Sequence, residues 1–314
     1  QVEVSFSTHH WPTWGNERIV NYWEAQRDMY RYLHDQTLHL ANRGLTPDEI
    51  AEEMKLPASL ASQFNCRGYY GTLSHNVKAQ YDLYFGWFDG NPAHLNPLPP
   101  SELGAKYVEA IGGADKVLEV AKASYAKGEY RWVATLLDNL VFAEPENKEA
   151  RQLLSDTYSQ LGYQAESGPW RNFYLTGAQD LFKNVPYTSK LINDGVLSQM
   201  DMGTLLDYCA IQLNGEKAGG KEAVININFT DTKEKVMLML KNGVLNHRLG
   251  SQDKKADLTM EIAKMDFVKL FFGRTDLQTL RKTNKVKTTG DTKAIDMIRS
   301  ACEPADPNFN IVLP

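Results

Sequence analysis

Cysteine is scarce in this sequence. The three cysteines, Cys66, Cys209 and Cys302, lie far apart and form no C-x-x-C pair. Their spacing excludes a zinc ribbon and gives no support to a disulfide framework. We therefore expect three buried thiols that pack as small apolar side chains.

Long apolar runs and a large net charge are also missing. No apolar stretch approaches the roughly 18 residues of a membrane-spanning helix, so the sequence predicts no membrane span. The formal net charge of −5 disfavours nucleic acid as a partner. With 314 residues, of which 42% are hydrophobic, the chain is long enough for about two globular domains.

Several common catalytic motifs are absent as well. The chain contains no G-x-S-x-G, no P-loop and no H-E-x-x-H. The residues by themselves therefore do not establish an enzyme, and any candidate chemistry has to come from less regular clusters.

The most informative cluster lies at the start, in "VEVSFSTHHWPTWG" (residues 2–15). Apolar and polar residues alternate there as in a half-buried strand, and His9 and His10 follow that strand. Histidines near a strand end suit a zinc site. Adjacent residues rarely ligate one ion, however, and no third ligand lies at a usable spacing. The alternative is one packed histidine beside an exposed one.

The middle of the chain is predicted to be helical. "LTPDEIAEEMKLP" predicts a helix that Thr46 caps, with proline at its first position and Glu49 completing a capping box. Ser74 is predicted to cap a helix that runs through Phe88. Helices fill residues 101–183, and pairs of them resemble tetratricopeptide units. Their number is too small for a free solenoid, so they are expected to pack on something else, such as another subunit.

The pattern changes in the last third of the chain. "AVININF" (223–229) alternates large apolar residues with asparagine, as a strand does, and Asn242–Gly243 marks a hairpin turn. Further strand and helix patterns follow. A sheet with segregated helices predicts an α+β domain.

Three long blocks resemble the zinc-dependent alkylsulfatases of the metallo-β-lactamase superfamily. They are "HHWPTWGNERIVNYWEAQRDMYRYLHDQTLHLANRGLTPDEIAEEMKLP", "RGYYGTLSHNVKAQYDLYFGWFDGNPAHLNPLPP" and "GPWRNFYLTGAQDL". The resemblance implies an α+β protein overall, with the last strand and helices of a metallo-β-lactamase αββα domain in residues 1–37. It also implies an all-α dimerisation domain with tetratricopeptide-like helix pairs in residues 38–183, and an α+β domain like sterol carrier protein in residues 184–314.

This resemblance implies an activity and a cofactor. The family hydrolyses alkyl sulfates of the dodecyl sulfate type to alcohol and inorganic sulfate, using water activated by two zinc ions. An alkyl sulfate substrate, a homodimer and a periplasmic or secreted location are implied too. The family's main metal motif, T-H-x-H-x-D-H, is absent from this sequence. The chain resembles the C-terminal half of such a protein, and we expect it to be inactive alone.

The resemblance also suggests site residues. By position, His9 or His10 would supply the final zinc ligand, and His9 is favoured. Tyr70 and His75 would provide hydrogen bonds around the sulfate group, the alternative being a structural role in positioning helices.

A second candidate site lies in the C-terminal segment, where apolar residues could line a tunnel for an alkyl chain. They include Met237, Met239, Phe267 and Phe271. An ordinary hydrophobic core would use the same residues. The alternative function for the whole chain is a non-catalytic dimeric scaffold that binds lipids or alkyl chains and lacks the metal-binding half.

Overall fold

The chain folds into two compact units. The computed structural model describes residues 2–182, 193–306 and 308–314. The first unit comprises Gln1–Val185 together with Phe309–Pro314, and the second comprises Pro186–Asn308. The predicted domain boundary between residues 183 and 184 lies outside the described residues.

The first unit starts with a two-stranded hairpin and continues as helices. Its strands are β1 (Val4–Ser7) and β2 (His10–Trp14). Its α-helices are α1 (Asn16–Ala41), α2 (Pro47–Glu53), α3 (Ala58–Ala61), α4 (Leu73–Phe85), α5 (Pro92–Leu95), α6 (Pro100–Ile111), α7 (Ala114–Ala126), α8 (Tyr130–Ala143), α9 (Lys148–Gln164) and α10 (Gly168–Asp180). A short 3-10 helix, Phe64–Cys66, lies between α3 and α4. The helical character predicted for residues 101–183 is confirmed as far as residue 180.

Helix α1 is continuous across residue 37, where the sequence placed a domain boundary. The chain leaves this helix at Gly44, whose φ of 89° lies in the left-handed region that glycine adopts without strain. Helix α2 then begins with the predicted capping box. The Thr46 hydroxyl accepts from the Glu49 backbone N–H, and the Glu49 carboxylate accepts from the Thr46 N–H at 2.8 Å.

The start and end predicted for α4 are wrong by a few residues. Thr72, not Ser74, caps the helix, because its hydroxyl accepts from the His75 backbone N–H at 2.9 Å. The helix ends at Phe85 instead of Phe88, because Gly86 leaves the helical conformation with a φ of 76°.

The predicted first strand exists, but it is not half-buried. β1 pairs antiparallel with β2, and Val4 and Phe6 are 46% and 81% exposed. Trp11 and Trp14 on β2 are exposed as well. The alternating pattern therefore predicted the strand correctly. It did not predict the burial, because the described residues cover neither face of this hairpin.

Helices α6 and α8 approach each other closely at a glycine. Gly104 on α6 is buried, and a Cβ added to it would lie only 2.4 Å from the carbonyl oxygen of Asn139 on α8. The absence of a side chain at this position permits backbone-to-backbone contact. The core of this helical region is built mainly from α7, α8 and α9, around Leu137, Leu140 and Leu154.

The second unit is a five-stranded sheet with helices. Its strands are β3 (Ala223–Phe229), β4 (Lys235–Lys241), β5 (Val244–Leu249), β6 (Leu258–Ile262) and β7 (Val286–Gly290). Its helices are α11 (Asp194–Gln199), α12 (Met202–Ile211), α13 (Gly215–Ala218), α14 (Lys264–Phe271), α15 (Leu277–Lys282) and α16 (Lys293–Ser300). The predicted mixed α+β class is confirmed.

The sheet has the order β5-β4-β3-β6-β7. Central strand β3 runs parallel to β6, and the other neighbouring pairs are antiparallel. The turn between β4 and β5 is the predicted Asn242–Gly243 pair, with φ values of 54° and 75°. Positive φ at both central residues is what a type I′ hairpin requires.

One sheet face forms the main core with the helices, and the other is partly covered by a loop. Ile225, Ile227 and Phe229 belong to the core cluster. Asn226 points to the other face, where it is 5% exposed. Its amide donates to the Asp253 carbonyl oxygen at 2.7 Å and accepts from the Asp253 N–H at 2.9 Å, so its burial leaves no polar group unsatisfied.

All three cysteines are free thiols, as the sequence predicts, but only two are fully buried. Cys66 and Cys209 are buried, and Cys302 is half-buried. Burial raises the pKa of Cys209 to about 12 and that of Cys302 to about 11, so both are protonated thiols at neutral pH. Among the described residues, no helix is both long and apolar enough to cross a membrane.

The C-terminal tail, residues 309–314, belongs to the first unit. Val312 and Leu313 pack against the core of α7, α8 and α9 and against Leu181. Phe309 and Ile311 on the same tail are about 70% exposed.

We expect the double substitution Val312→Ser/Leu313→Ser to destabilise the first unit by about 1–2 kcal/mol, because both side chains are only partly buried. All six tryptophans lie within residues 11–170, so tryptophan fluorescence during urea unfolding reports on this unit alone. The matched control is Phe309→Ser/Ile311→Ser, which should leave the midpoint almost unchanged. Equal effects of the two double variants would show that the tail contributes no specific packing.

Candidate functional site

Both histidines of the first block lie at the tip of the β1–β2 hairpin. Ser7 pairs with His10, which leaves Thr8 and His9 as the two turn residues. His9 has a φ of 65°, a left-handed conformation that non-glycine residues adopt infrequently. Such strained backbone persists where surrounding contacts hold it, and it is frequent at functional sites.

An aromatic cluster surrounds these histidines. Its members are His9, His10, Trp11, Tyr22, Phe64, Tyr69 and Tyr70. The His9 ring stacks on Tyr70 with a centroid distance of 4.1 Å. The His10 ring stacks on Trp11 and Tyr22 at 4.7 Å and 5.3 Å. The orientation of both imidazoles is therefore fixed by ring contacts.

His10 also has a hydrogen-bond partner. Its Nδ1 lies 3.3 Å from the hydroxyl of Tyr69. Burial raises the pKa of the Tyr69 phenol, and the neighbouring Tyr22 raises it further, so Tyr69 remains protonated at neutral pH. In the tautomer with its proton on Nδ1, His10 donates to the Tyr69 oxygen and presents Nε2 as an acceptor.

The loop that carries the two tyrosines is held from the start of α10. The Gly168 N–H donates to the Tyr69 carbonyl oxygen at 2.9 Å, and the Ser167 hydroxyl donates to the Tyr70 carbonyl oxygen at 2.5 Å. Ser167 is buried and also caps α10. Residues nearly one hundred positions apart therefore position the rings that contact the histidines.

His75 is exposed and lies outside the aromatic cluster. It sits in the first turn of α4, and its Nδ1 accepts a hydrogen bond from the Trp170 indole Nε1 at 3.2 Å. A neutral His75 therefore carries its proton on Nε2, which is a possible hydrogen-bond donor. Tyr70 is 51% exposed, and its ring is used in the stack with His9. The roles predicted for Tyr70 and His75 around a sulfate stay predictions.

The hairpin tip alone does not complete a metal site. Within residues 2–182, 193–306 and 308–314, no group of three or more histidine, cysteine, aspartate or glutamate side chains is placed to hold a metal ion. His9 and His10 offer imidazoles that zinc accepts. The described residues around them do not supply the further ligands that a zinc site needs.

The structure does not bring the four predicted tunnel residues together. Phe267 and Phe271 on α14 belong to the core cluster, and Phe267 contacts Phe229 edge to face at 5.6 Å. Met237 and Met239 alternate on β4 with the core residues Val236, Leu238 and Leu240, so they point to the opposite face of the sheet. The two methionines and the two phenylalanines therefore lie on opposite sides of the sheet, and the role predicted for them in binding an alkyl chain stays a prediction.

Sequence reasoning missed several residues that shape the hairpin site. They are Tyr22, Phe64, Tyr69, Ser167 and Trp170. For Ser167 a local indication existed, since "SGPW" has a capping residue followed by proline at the start of a helix. For Tyr22, Phe64 and Tyr69 the sequence offers only the abundance of aromatic residues.

The structure thus combines a mainly helical unit with an α+β unit that follows it along the chain. Residues 46–184 match the family model described as alkyl sulfatase dimerisation, and residues 190–314 match the one described as alkyl sulfatase C-terminal. The middle part of the chain is therefore similar to the alkyl sulfatase dimerisation family, and its last part is similar to the alkyl sulfatase C-terminal family.

Curated relatives are similar over the entire chain. A linear primary-alkylsulfatase from Pseudomonas sp. is 46% identical over 315 residues, which cover 100% of this chain and 47% of the relative. The alkyl/aryl-sulfatase BDS1 from Saccharomyces cerevisiae is 41% identical over 314 residues, which cover 100% of this chain and 48% of the relative. The chain spans about half the length of the curated relatives it matches.

A solved structure shows the same similarity. It is that of the stereoselective inverting sec-alkylsulfatase Pisa1 from Pseudomonas sp., with 42% identity and a TM-score of 0.95. The match covers 99% of this chain and 49% of that chain. The predicted likeness of the second unit to sterol carrier protein, and the metallo-β-lactamase origin of residues 1–37, stay predictions.

Proposed function

We propose that this chain is part of an alkylsulfatase that hydrolyses alkyl sulfate esters to an alcohol and inorganic sulfate. The observation that carries the proposal is the similarity of the whole chain, at 41–46% identity, to relatives named as alkylsulfatases. The hairpin site supports it, because two oriented imidazoles beside tyrosine hydroxyls suit a polar, charged substrate group. A periplasmic or secreted location is proposed with it.

We also propose that the complete protein uses two zinc ions and that His10 is the ligand from this chain. A histidine that binds a metal through one nitrogen almost always donates its other N–H to a partner. For His10 the Tyr69 hydroxyl is such a partner, whereas the described part of the chain gives the His9 ring a stacking contact with Tyr70 and no hydrogen bond. This geometry favours His10 as the ligand, whereas position in the sequence favoured His9. The remaining ligands would lie in the part of the relatives that this chain does not span.

The direct test measures sulfate release from dodecyl sulfate below its micellar concentration. We expect no release above background from the 314-residue chain alone, because its described residues complete no metal site. A longer protein that contains this chain and the T-H-x-H-x-D-H motif should release sulfate and contain about two zinc ions per protomer. An inactive longer protein would favour the alternative of a non-catalytic lipid-binding scaffold. Sulfate release by the 314-residue chain alone would contradict the proposal that the remaining zinc ligands lie outside this chain.

A homodimer is the partner that the dimerisation family suggests, and we propose where the second copy binds. An apolar groove of about 150 Å³ lies between α6, α7 and α8, within the matched residues 46–184. Its lining residues are Tyr107, Val108, Ile111, Val117, Trp132, Thr135, Leu136 and Asn139. Tyr107 and Trp132 are each about half exposed, and large aromatic side chains of this kind dominate protein interfaces.

We expect Trp132→Glu to weaken the dimer by at least about 30-fold in Kd, since loss of an interface hot spot is worth roughly 2 kcal/mol or more. Light scattering at several protein concentrations measures the mass and hence the dissociation constant. The matched control is Tyr163→Glu on α9, which places the same charge at a more exposed aromatic residue. If only the control becomes monomeric, the interface lies on the α9 face instead.

A further inference from the structure

A second cluster of reactive side chains joins α1 to α4, apart from the hairpin site. His34 and Asp35 lie on α1, and Tyr84 lies near the end of α4. The Nδ1 of His34 is 2.8 Å from an Asp35 carboxylate oxygen, and its Nε2 is 2.8 Å from the Tyr84 hydroxyl. The three groups form one hydrogen-bonded chain from carboxylate through imidazole to phenol.

The direction of the hydrogen bonds in this chain follows from the carboxylate. Asp35 accepts a second hydrogen bond, from Arg31 Nε at 2.6 Å. The hydrogen bonds from His34 and Arg31 hold the pKa of Asp35 below its usual value, so the group is ionised and can only accept. The His34 proton therefore sits on Nδ1. In the neutral ring, Nε2 is left to accept the proton of the Tyr84 hydroxyl.

Tyr84 is reachable from solvent and has apolar neighbours. It is 53% exposed, and the His34 ring meets it edge to face with centroids 5.5 Å apart. Leu83, Phe85 and Trp87 beside it are 74%, 45% and 74% exposed. An apolar or aromatic molecule can therefore approach the phenol oxygen.

We propose that Tyr84 is a nucleophilic tyrosine that takes an acyl group from activated aryl esters. The arrangement of nucleophile, base and orienting carboxylate is that of a catalytic triad with phenol in place of serine. The Tyr84 oxygen attacks the ester carbonyl carbon, and its proton passes to His34 Nε2. The bond from the carbonyl carbon to the aryl oxygen breaks, the phenolate leaves, and the acyl group remains on Tyr84. Asp35 acts as a positioning residue through His34.

The test treats the 314-residue chain with p-nitrophenyl acetate and locates acetyl groups by peptide mass spectrometry. Tyr163 is the internal reference, because it is 69% exposed and therefore more accessible than Tyr84. We expect Tyr84 to be acetylated faster than Tyr163 by on the order of 10²-fold, the lower end of general-base assistance. His34→Gln keeps a side-chain acceptor near the phenol but removes the base, and it should bring Tyr84 down to the rate of Tyr163.

Two further variants make the result independent of any one substitution. Tyr84→Phe should remove the fast site, with p-nitrophenolate release falling to the slow phase alone. Asp35→Asn removes the carboxylate that fixes the tautomer, and it should slow Tyr84 without changing Tyr163. Acetylation of Tyr84 no faster than that of Tyr163 in the unmodified chain would overturn the proposal. So would an equally fast Tyr84 in a folded His34→Gln variant.

Discussion

Replacing His10 with alanine, in a longer protein that contains this chain, should lower the rate of sulfate release from dodecyl sulfate by at least about 10²-fold. The reason is the position of the His10 ring, which is stacked on Trp11 and Tyr22 and hydrogen-bonded to Tyr69. Loss of the imidazole removes the donor atom that the proposed zinc site takes from this chain. Elemental analysis should show less zinc per protomer as well.

Two variants separate this role from a merely structural one. Tyr69→Phe keeps the ring and its packing but removes the hydroxyl bound to His10 Nδ1, and we expect a loss of about 10- to 100-fold, the usual effect of removing such a partner. His9→Ala should change activity much less than His10→Ala. If His9→Ala lowers both zinc content and activity while His10→Ala does not, His9 is the ligand and the geometric argument fails.

The second large effect is expected at the crossing of α6 and α8. In a typical helix, Gly→Ala stabilises by up to about 1 kcal/mol, because alanine has the higher helix propensity. At Gly104 the new methyl group would lie 2.4 Å from the Asn139 carbonyl oxygen, and both groups belong to helix backbones that cannot rotate away. We expect Gly104→Ala to lower the free energy of unfolding by about 2–3 kcal/mol, as overpacking does.

Gly177→Ala on α10 is the matched control. A Cβ there would meet its nearest atoms, in Tyr158 and Val312, at an ordinary contact distance of 3.5 Å. We expect this variant to be as stable as the unmodified protein or slightly more stable. Urea unfolding followed by tryptophan fluorescence measures both variants. A neutral Gly104→Ala would mean that α6 and α8 can separate without loss of packing.

Local features of the fold were predictable from the sequence, because their causes lie within a few residues. The capping box of Thr46 and Glu49 and the Asn242–Gly243 hairpin depend on backbone groups no more than four positions away. The missed cap at Thr72 shows the limit of this reasoning. Thr72 and Ser74 are both good capping residues, and only the path of the preceding loop decides between them.

The candidate site was predictable only in part. The sequence identified His9 and His10 as unusual, but their partners come from distant segments. Tyr69 is 59 positions from His10, and no periodicity links the two. The parallel pairing of β3 with β6 is equally hidden, because a strand pattern shows which face is apolar and not which strand lies next to it.

The separation of the four residues predicted to bind an alkyl chain has a different origin. The alternation on β4 already separates Met237 and Met239 from Leu238, because successive side chains point to opposite faces. What the sequence does not show is which face α14 covers. Since α14 packs on the face of Leu238, Phe267 joins that core and the two methionines are left on the other side.

The return of residues 309–314 to the first unit makes the second unit a topological insertion. During synthesis, the ribosome releases Val312 and Leu313 only after the whole of Pro186–Asn308 has been made, so the helical core completes its packing last. A fragment cut at residue 184, where the dimerisation match ends, would lack these two side chains. Separating the two family domains by simple truncation would therefore leave the first one without part of its packing.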